Sequence, residues 1–451
     1  MRKQLASLLL VFSLLAPALT QPGWAQTGEL QLIRDAEIED IIRAYATPLF
    51  QAAGLSPQAI DVYLIKDDSL NAFVTPGLNM FIHTGLLMRS EGPLQVIGVV
   101  AHETGHIAGG HLIGRMDEMQ NASIKALAAA VLGLGAALAT GRPELGGAVS
   151  RGGQDVALKG LLRYSRGQEA AADQAALRLL SGTGQSPRGL VSFLNILGDQ
   201  EVFLATNQDP YLRTHPLTPE RLSYLEQAVQ ESPYADMPPP PEYVEMHHRM
   251  RGKLVGFLEP FDEVLRRYPK SDTSLEARYA RAIAHYRRAD LDTALPLVDQ
   301  LITEHPEDAY LRELKGQMLF ENGRLAEALP EYEIAVRLDP SSPLLHLGLA
   351  RVLLELNQPG MDAKALDHLD TVLQHEPNGP FAWRLAAVAH GRLGDQGMTA
   401  LALAEAAIAH GETAEARAHA KRAQKLLKNG SPGGLRVQDI LHHADQLDRQ
   451  Q

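Results

Sequence analysis

The chain has 451 residues, of which 45% are hydrophobic, and its formal net charge is −12. This length predicts two or three domains, the apolar fraction excludes wholesale disorder, and the acidic balance argues against a general nucleic-acid binder. The sequence contains no cysteine, so thiol catalysis, disulfides and Cys-ligated zinc are excluded. Any metal must be held by His, Asp or Glu side chains.

The N-terminus is typical of a secretory signal peptide. Arg2 and Lys3 precede an apolar run at residues 5–19, and the small residues Gly23 and Ala25 follow it. The alternative, a membrane anchor, is disfavoured because the run is short for a membrane span. We therefore predict a signal peptide over residues 1–25 and an exported, soluble protein, with a bacterial periplasm as the expected compartment.

Residues 26–231 predict an α+β domain with a small sheet. A helical pattern that begins after residue 26 ends at Gly54. Two strand segments follow, DVYLIK at residues 61–66 and a second one within residues 71–87, with Pro76 and Gly77 as a turn. A predominantly apolar helix is predicted next, at roughly residues 93–116.

A second apolar run, at residues 124–140, is rich in Ala and Gly and carries Lys125 as its single charge. We interpret it as a buried or partner-facing helical hairpin. The alternative is peripheral contact with a membrane surface or with an apolar client. A membrane span remains a third hypothesis, because the length is borderline for one.

The C-terminal half is predicted to be an α-solenoid of tetratricopeptide repeats. The prolines Pro269, Pro306, Pro340 and Pro377 are separated by 37, 34 and 37 residues, and a step near 34 residues is typical of this helix–turn–helix repeat. We predict a Pro-rich linker at residues 232–248, the repeat domain at 249–430 and a polar tail at 431–451. His247 and His248 are expected at the surface, because adjacent residues on a helix point about 100° apart and make a poor metal pair.

The stretch VVAHETGHIAGGHL, residues 99–112, predicts a metal site on the apolar helix. His102 and His106 are four residues apart, so both imidazoles lie on one face and can bind the same ion. Glu103 lies one step round the helix, where it can accept a proton from a water whose pKa the ion lowers to about 7. Two histidines and a glutamate in so apolar a segment are costly to bury unless a metal and hydrogen bonds offset the cost.

A catalytic zinc requires a third protein ligand. His111 is five residues after His106, one short of the six-residue spacing of the HExxHxxGxxH proteases, so we interpret it as a helix-surface or supporting residue. The better candidate is the helix in RYSRGQEAAADQAALRLL, where Glu169 and Asp173 share one face. Glu169 is the predicted third ligand, and Asp173 is predicted to accept the second ring N–H of a ligand histidine.

HETGH followed by YSRGQEAAAD resembles the gluzincin metallopeptidases of the HtpX and CAAX-prenyl-protease type, whose pattern is HExxH with a distal SRxxExxAD. NAFVTPGLNMFIHTGLL and RTHPLTPERL resemble two further segments of that family. The resemblance covers roughly residues 30–225. It implies one Zn²⁺ per chain held by His102, His106 and Glu169, with Glu103 as the general base.

The resemblance also implies an edge strand beside the cleft at residues 71–81, beginning with Asn71, Ala72 and Phe73, to which a substrate peptide adds as a strand. It places His215 near the zinc. His215 then either stabilises the oxyanion of the reaction or fills the fourth zinc position and holds the enzyme latent. A loop histidine without metal contact is the remaining alternative.

These patterns predict an exported zinc endopeptidase whose repeats bind clients or partner proteins. The resemblance implies protein or peptide substrates and partners in outer-membrane protein assembly. One rival is a chaperone or adaptor whose repeats carry the function and whose zinc site is mostly latent. The other is a membrane-embedded protease with residues 124–140 as a span.

Overall fold

The computed structural model describes residues 31–75, 77–111, 166–203, 211 and 215–450. Within these ranges a small four-stranded sheet and its surrounding helices come first, and a long series of paired helices follows. The predicted fold class, mainly α with a small sheet in an N-terminal α+β domain and a helical solenoid after it, is confirmed.

The sheet has the strand order β1-β2-β4-β3, so β3 lies at an edge among the described strands. The central pair, β2 and β4, is parallel, and the two outer pairs are antiparallel. The segment predicted as one edge strand is therefore two strands, and Phe81 belongs to the inner one. The chain turns between them at Gly77 and Leu78, which both have positive φ. The strands are β1 (Leu32–Ile33), β2 (Asp61–Ile65), β3 (Ala72–Thr75) and β4 (Asn79–His83).

Helices cover this sheet and form most of the N-terminal core. The first begins at Asp35, whose carboxylate accepts a hydrogen bond from Ile38 N at 3.0 Å and caps the helix. Its apolar face, including Ile42, Tyr45 and Leu49, is fully buried. The helices of this part are α1 (Ala36–Ala52), α2 (Thr84–Arg89), α3 (Pro93–Ala108), α4 (166–182), α5 (Arg188–Phe203) and α6 (Pro219–Glu231).

The metal-site helix α3 is shorter than its sequence pattern predicts. It begins at Pro93, a favourable first helical position, and ends at Ala108 instead of continuing to about residue 116. Gly109 caps the helix, and Gly110 has a φ of 64°, which turns the chain out of the helical path. The apolar periodicity alone did not reveal this stop.

The second half of the chain is a series of helical hairpins. The spaced prolines end its units as predicted: Pro306, Pro340 and Pro377 each stand two residues after the second helix of a pair. Its helices are α7 (Pro241–Leu258), α8 (Phe261–Arg267), α9 (Leu275–Arg287), α10 (Leu291–Glu304), α11 (Ala309–Glu321), α12 (Leu325–Leu338), α13 (Pro343–Leu356), α14 (Met361–His375), α15 (Pro380–Arg392), α16 (Gln396–Ala409), α17 (Thr413–Leu426) and α18 (Pro432–Gln450).

Small residues allow the two helices of a repeat to approach closely. In the unit formed by α11 and α12, a side chain at Gly316 would lie 2.8 Å from the ring of Tyr332. Ala328 and Ala335 on the second helix are fully buried. The alternation of small and large residues that marked this unit in the sequence therefore reflects the packing of its two helices.

The predicted domain limits remain proposals, and two segments differ from their expected character. The stretch predicted as linker at 232–248 is helical from Pro241 onward, because proline is well tolerated in a first helical turn. The polar tail at 431–451 contains α18, which packs against α16 and α17 and buries Val437 and Ile440. Its polar residues cover the outer face of the last hairpin.

A buried ionic network joins α1 to the first helices of the solenoid. Glu37 is fully buried, and its carboxylate lies 2.6 Å from Arg249 Nε and 3.3 Å from Lys253 Nζ. Tyr279 donates a further hydrogen bond to it at 2.6 Å. Burial alone would raise the pKa of Glu37, but the two cations lower it to about 2. The network thus links α1 to α7 and α9 through buried ion pairs and hydrogen bonds.

His247 is buried, which contradicts the expectation that it lies on the surface. Its Nε2 lies 2.8 Å from Ser90 Oγ, and Ser90 in turn donates to Leu87 O. The neighbouring His248 is partly exposed and lies 2.5 Å from a carboxylate oxygen of Glu276. Adjacency on a helix separates the two rings, but it does not say which one faces the protein. Here α7 turns His247 toward the end of α2.

We expect His247 to make the stability of the protein pH-dependent. Burial, with smaller contributions from Arg251 and His248, lowers its pKa to about 3. In the unfolded chain the pKa is about 6.5, so the stabilisation is present above pH 6.5 and is lost as the pH falls toward 3. Between pH 7.5 and 5 the loss amounts to about 2 kcal/mol.

The matched variant is His247→Gln, whose amide reaches the position of Nε2 but does not titrate. Urea unfolding at pH 7.5 and 5 should show the wild type losing about 2 kcal/mol more than the variant. Equal losses in the two proteins would show that His247 does not remain neutral in the folded state.

Candidate metal centre

The helix α3 presents His102 and His106 on one buried face. They lie one helical turn apart, and their Nε2 atoms are 3.1 Å from each other. Both are almost completely buried, at 0% and 3% exposure. Two ring nitrogens at this separation, directed at the same point, are suited to sharing one ion.

The helix α4 brings the Glu169 carboxylate to the same point. One of its oxygens lies 3.2 Å from His102 Nε2 and the other 3.2 Å from His106 Nε2. The close approach of the two helices depends on Gly105, where a side chain would lie 2.8 Å from Ala172 O. The glycine inside the HExxH stretch therefore lets the distant carboxylate reach the histidines.

The donor set fits a zinc ion. With zinc–ligand bonds of about 2.0–2.1 Å, the ligand atoms of a tetrahedral site are about 3.4 Å apart. The separations of 3.1 and 3.2 Å among the two imidazoles and the carboxylate are close to this value. His102, His106, Glu169 and His215 each offer one ligand atom, and these four atoms lie within 4.8 Å of one another.

Asp173 lies one turn after Glu169 and contacts the other side of the first histidine. Its carboxylate oxygen is 3.0 Å from His102 Nδ1, and the side chain is fully buried. This contact places a proton on Nδ1 and leaves Nε2 free to bind a metal. The predicted pairing of Asp173 with a candidate ligand is therefore present in the structure.

Arg221 supports both carboxylates, although the sequence patterns assigned it no role. Its guanidinium forms two hydrogen bonds to Asp173, at 2.7 and 2.9 Å, and lies 3.0 Å from Glu169. It also donates to Pro216 O at 2.7 Å. Arg221 is the second arginine of the quoted segment RTHPLTPERL, so the sequence did contain the residue. Its partners became evident only in three dimensions.

His215 completes a buried group of imidazoles. Its Nδ1 lies 3.0 Å from Glu169, and its Nε2 lies 3.4 Å from a carboxylate oxygen of Glu103. The ring stacks on Tyr211 at 4.5 Å between centroids. Tyr211 is a second site residue that the sequence patterns missed. The structure thus places His215 within reach of the metal position and beside the predicted base.

The buried titratable groups of the site shift one another's pKa values strongly. Burial alone would lower the pKa of His102, but its hydrogen bonds to Asp173 and Glu169 raise it to about 10. Burial, together with the neighbouring histidines, lowers the pKa of His106 to about 3. The pKa of Glu169 lies well below its usual value, because the surrounding imidazoles outweigh the cost of burying its charge.

The segment predicted to bind substrate lies beside α3, the helix that carries His102 and His106. Ala72 and Phe73 belong to the edge strand β3, which packs against α3. Asn71 comes just before it, and its carbonyl accepts a hydrogen bond from His83 N at 2.9 Å. Phe73 stacks on Phe81 of the neighbouring strand at 5.1 Å. Within the described sheet, β3 has a neighbouring strand, β4, on one side only.

Some predicted features lie outside the described residues. These are the signal peptide at 1–25, the apolar run at 124–140 and the first two residues of YSRGQEAAAD. Among the helices that the structure does describe, none combines the length and the apolar character needed to cross a membrane.

Two helical histidines, a carboxylate from a second helix and a glutamate next to the first histidine are the groups of a hydrolytic metal centre of the metallopeptidase class. Comparison with known proteins agrees with this assignment. Residues 32–229 match Peptidase family M48, and residues 279–343 and 319–389 match tetratricopeptide repeat families. Residues 32–229 thus form a metalloprotease domain that matches the M48 family, and tetratricopeptide repeats follow it.

The similarity to some proteins extends over most of the chain. The beta-barrel assembly-enhancing protease of Yersinia pestis is 26% identical over 89% of this chain and 82% of its own length. The protein of the same name from Escherichia coli is 25% identical over 90% and 82%. The mitochondrial metalloendopeptidase OMA1 of Schizosaccharomyces pombe is 26% identical over 41% of this chain and 51% of its own.

Proposed function

We propose that the protein is an exported zinc endopeptidase that acts in outer-membrane and periplasmic protein quality control. The observation that carries this proposal is the convergence of His102, His106 and Glu169 on one buried point with the separations of a tetrahedral zinc site. Two imidazoles and one carboxylate are a ligand set typical of catalytic zinc.

Each residue of the centre has a separate role in peptide hydrolysis. His102, His106 and Glu169 hold the ion, and Asp173 keeps the His102 ring in its binding tautomer. Bound zinc polarises the substrate carbonyl and makes water a stronger nucleophile at neutral pH. Glu103 takes the proton from the attacking water and delivers it to the leaving amine.

We propose that the substrate binds in an extended conformation along β3. An edge strand offers unpaired N–H and C=O groups, so a peptide can add to it as a further strand. Asn71, Ala72 and Phe73 lie at the start of this edge, next to α3. A peptide added there lies next to α3, the helix that carries Glu103.

We infer the location and partners of the protein from its relatives and its N-terminus. The names of the relatives from Yersinia pestis and Escherichia coli point to proteases that assist barrel assembly. Together with a signal peptide at residues 1–25, this favours a periplasmic protein whose repeats bind clients or assembly partners. For residues 124–140 the first proposal is a buried or partner-facing helical hairpin, and peripheral membrane contact is the alternative.

We propose that His215 holds the resting enzyme latent as the fourth ligand. In the structure its ring lies between Glu169, the proposed third ligand, and Glu103, the proposed base. We expect His215→Ala to raise peptidase activity about tenfold. This gain corresponds to a resting enzyme in which roughly nine molecules in ten are closed by His215. Casein cleavage at saturating zinc measures this effect. A fall in activity would assign His215 to oxyanion stabilisation, and an unchanged rate would exclude both roles.

The proposed activity is tested by casein cleavage on the purified protein, with and without a chelator. The proposal predicts that cleavage stops when the metal is removed and returns when zinc is added. Cleavage that continues in the chelated protein would contradict it. Release of the mature protein from cells by osmotic shock without detergent tests the proposed location.

A further inference from the structure

We propose that His111 is a positioning residue of the metal centre, which holds His106 in its metal-binding tautomer by accepting a hydrogen bond from His106 Nδ1. The two Nδ1 atoms are 3.1 Å apart, and the rings meet edge to face with their centroids 5.1 Å apart. The inference rests on the proposed metal function and adds a residue to its machinery.

The direction of the hydrogen bond follows from the second nitrogen of His106. Its Nε2 faces Glu169 at 3.2 Å and His102 at 3.1 Å, so this is the atom that offers a lone pair to the ion. A neutral imidazole carries one proton, which must then be on Nδ1. That N–H points at His111 Nδ1, which therefore accepts and carries its own proton on Nε2.

Both helical histidines thus have a dedicated acceptor. His102 Nδ1 faces the carboxylate of Asp173 at 3.0 Å, and His106 Nδ1 faces the imidazole of His111. Partners of this kind fix the orientation and tautomer of ligand histidines, and losing one typically weakens metal affinity about 10–100-fold.

The local backbone is arranged to make this contact. On a continuous helix, residue 111 would lie about 7.5 Å further along the axis than His106 and about 140° round it. Instead α3 ends at Ala108, and Gly110, with φ of 64°, returns the chain toward the site. After this change of direction, the His111 ring lies against His106.

Gly109 provides an independent observation. Its φ of −75° suits any residue, so its backbone does not require glycine. A side chain there would nevertheless lie 2.6 Å from His111 Nε2. Gly109 therefore leaves room for the His111 ring in its observed position, and a side chain there would make the ring shift.

The experiment is a zinc-affinity measurement by chelator competition on the full-length protein. His111→Phe keeps a ring without an acceptor, and Gly109→Ala displaces the ring. Both should raise the zinc dissociation constant about 10–100-fold. His111→Asn restores an acceptor near Nδ1 and should stay within about threefold of the wild type. Gly92→Ala, at the other end of α3 where a side chain meets nothing within 4 Å, is the control.

The outcomes separate this inference from the proposed function. Wild-type affinity in His111→Phe and Gly109→Ala would overturn the role of His111, as would equal weakening in His111→Asn and His111→Phe. A wild type that binds no zinc would instead contradict the metal centre itself. Thermal unfolding of the metal-free proteins verifies folding, and Gly109→Ala decides the question if His111→Phe does not fold.

Discussion

Glu103→Gln should remove peptidase activity almost completely and leave metal binding intact. Glu103 is fully buried next to the candidate ligands, with a carboxylate oxygen 3.4 Å from His215 Nε2. Glutamine has the same shape but accepts no proton at neutral pH, and a positioned general base contributes about 10²–10⁴-fold to the rate. The measurement is casein cleavage, with zinc content determined on the same sample.

Glu226→Gln is the matched control, because Glu226 is exposed on α6, away from the site. It should cleave casein at the wild-type rate. If Glu103→Gln retained the activity of this control, Glu103 would not be the base. If the variant lost activity but still supported the assembly function in cells, the repeats would carry that function, as the adaptor hypothesis states.

Arg221→Met should strongly destabilise the metal-free protein. The arginine neutralises Asp173 and Glu169, both of which are fully buried. Removal of one partner from a buried ion pair typically costs about 3–5 kcal/mol, because the remaining charge is left without compensation. Urea unfolding in the presence of a chelator measures the change in the free energy of unfolding.

Two further variants test whether the lost charge of Arg221 causes the destabilisation. Arg188→Met removes an exposed ion pair with Asp236, and such pairs are worth about 0–1 kcal/mol. Arg221→Lys keeps the positive charge but cannot form both hydrogen bonds to Asp173. Its loss in the free energy of unfolding should therefore lie between those of Arg188→Met and Arg221→Met. A loss in Arg221→Met no larger than in Arg188→Met would show that Arg221 does not neutralise the site.

The metal-site residues were predictable because their spacing encodes their geometry. His102 and His106 are one helical turn apart, as are Glu169 and Asp173. A spacing of four residues fixes which side chains share a face without any knowledge of the fold. The approach of the two helices was not encoded in this way, although Gly105 and its contact with Ala172 made it possible.

The residues that the patterns missed act through contacts between distant segments. Arg221 is far from Asp173 in the chain, and no periodicity links the two. His247 was expected at the surface because its adjacency to His248 argues against a shared metal, yet the docking of α7 turns it toward Ser90. The early end of α3 depends on Gly109 and Gly110. These glycines are a local helix-stop signal, but the prediction followed the apolar pattern, which continues beyond them.

The central claim is that one ion is held by two imidazoles of α3 and a carboxylate of α4. The most direct test is the zinc content of the purified wild type and of Glu169→Ala after dialysis against a weak chelator. The structure predicts one zinc per chain in the wild type and little or none in the variant. A wild type without metal, or a variant that retains one zinc per chain, would contradict the claim.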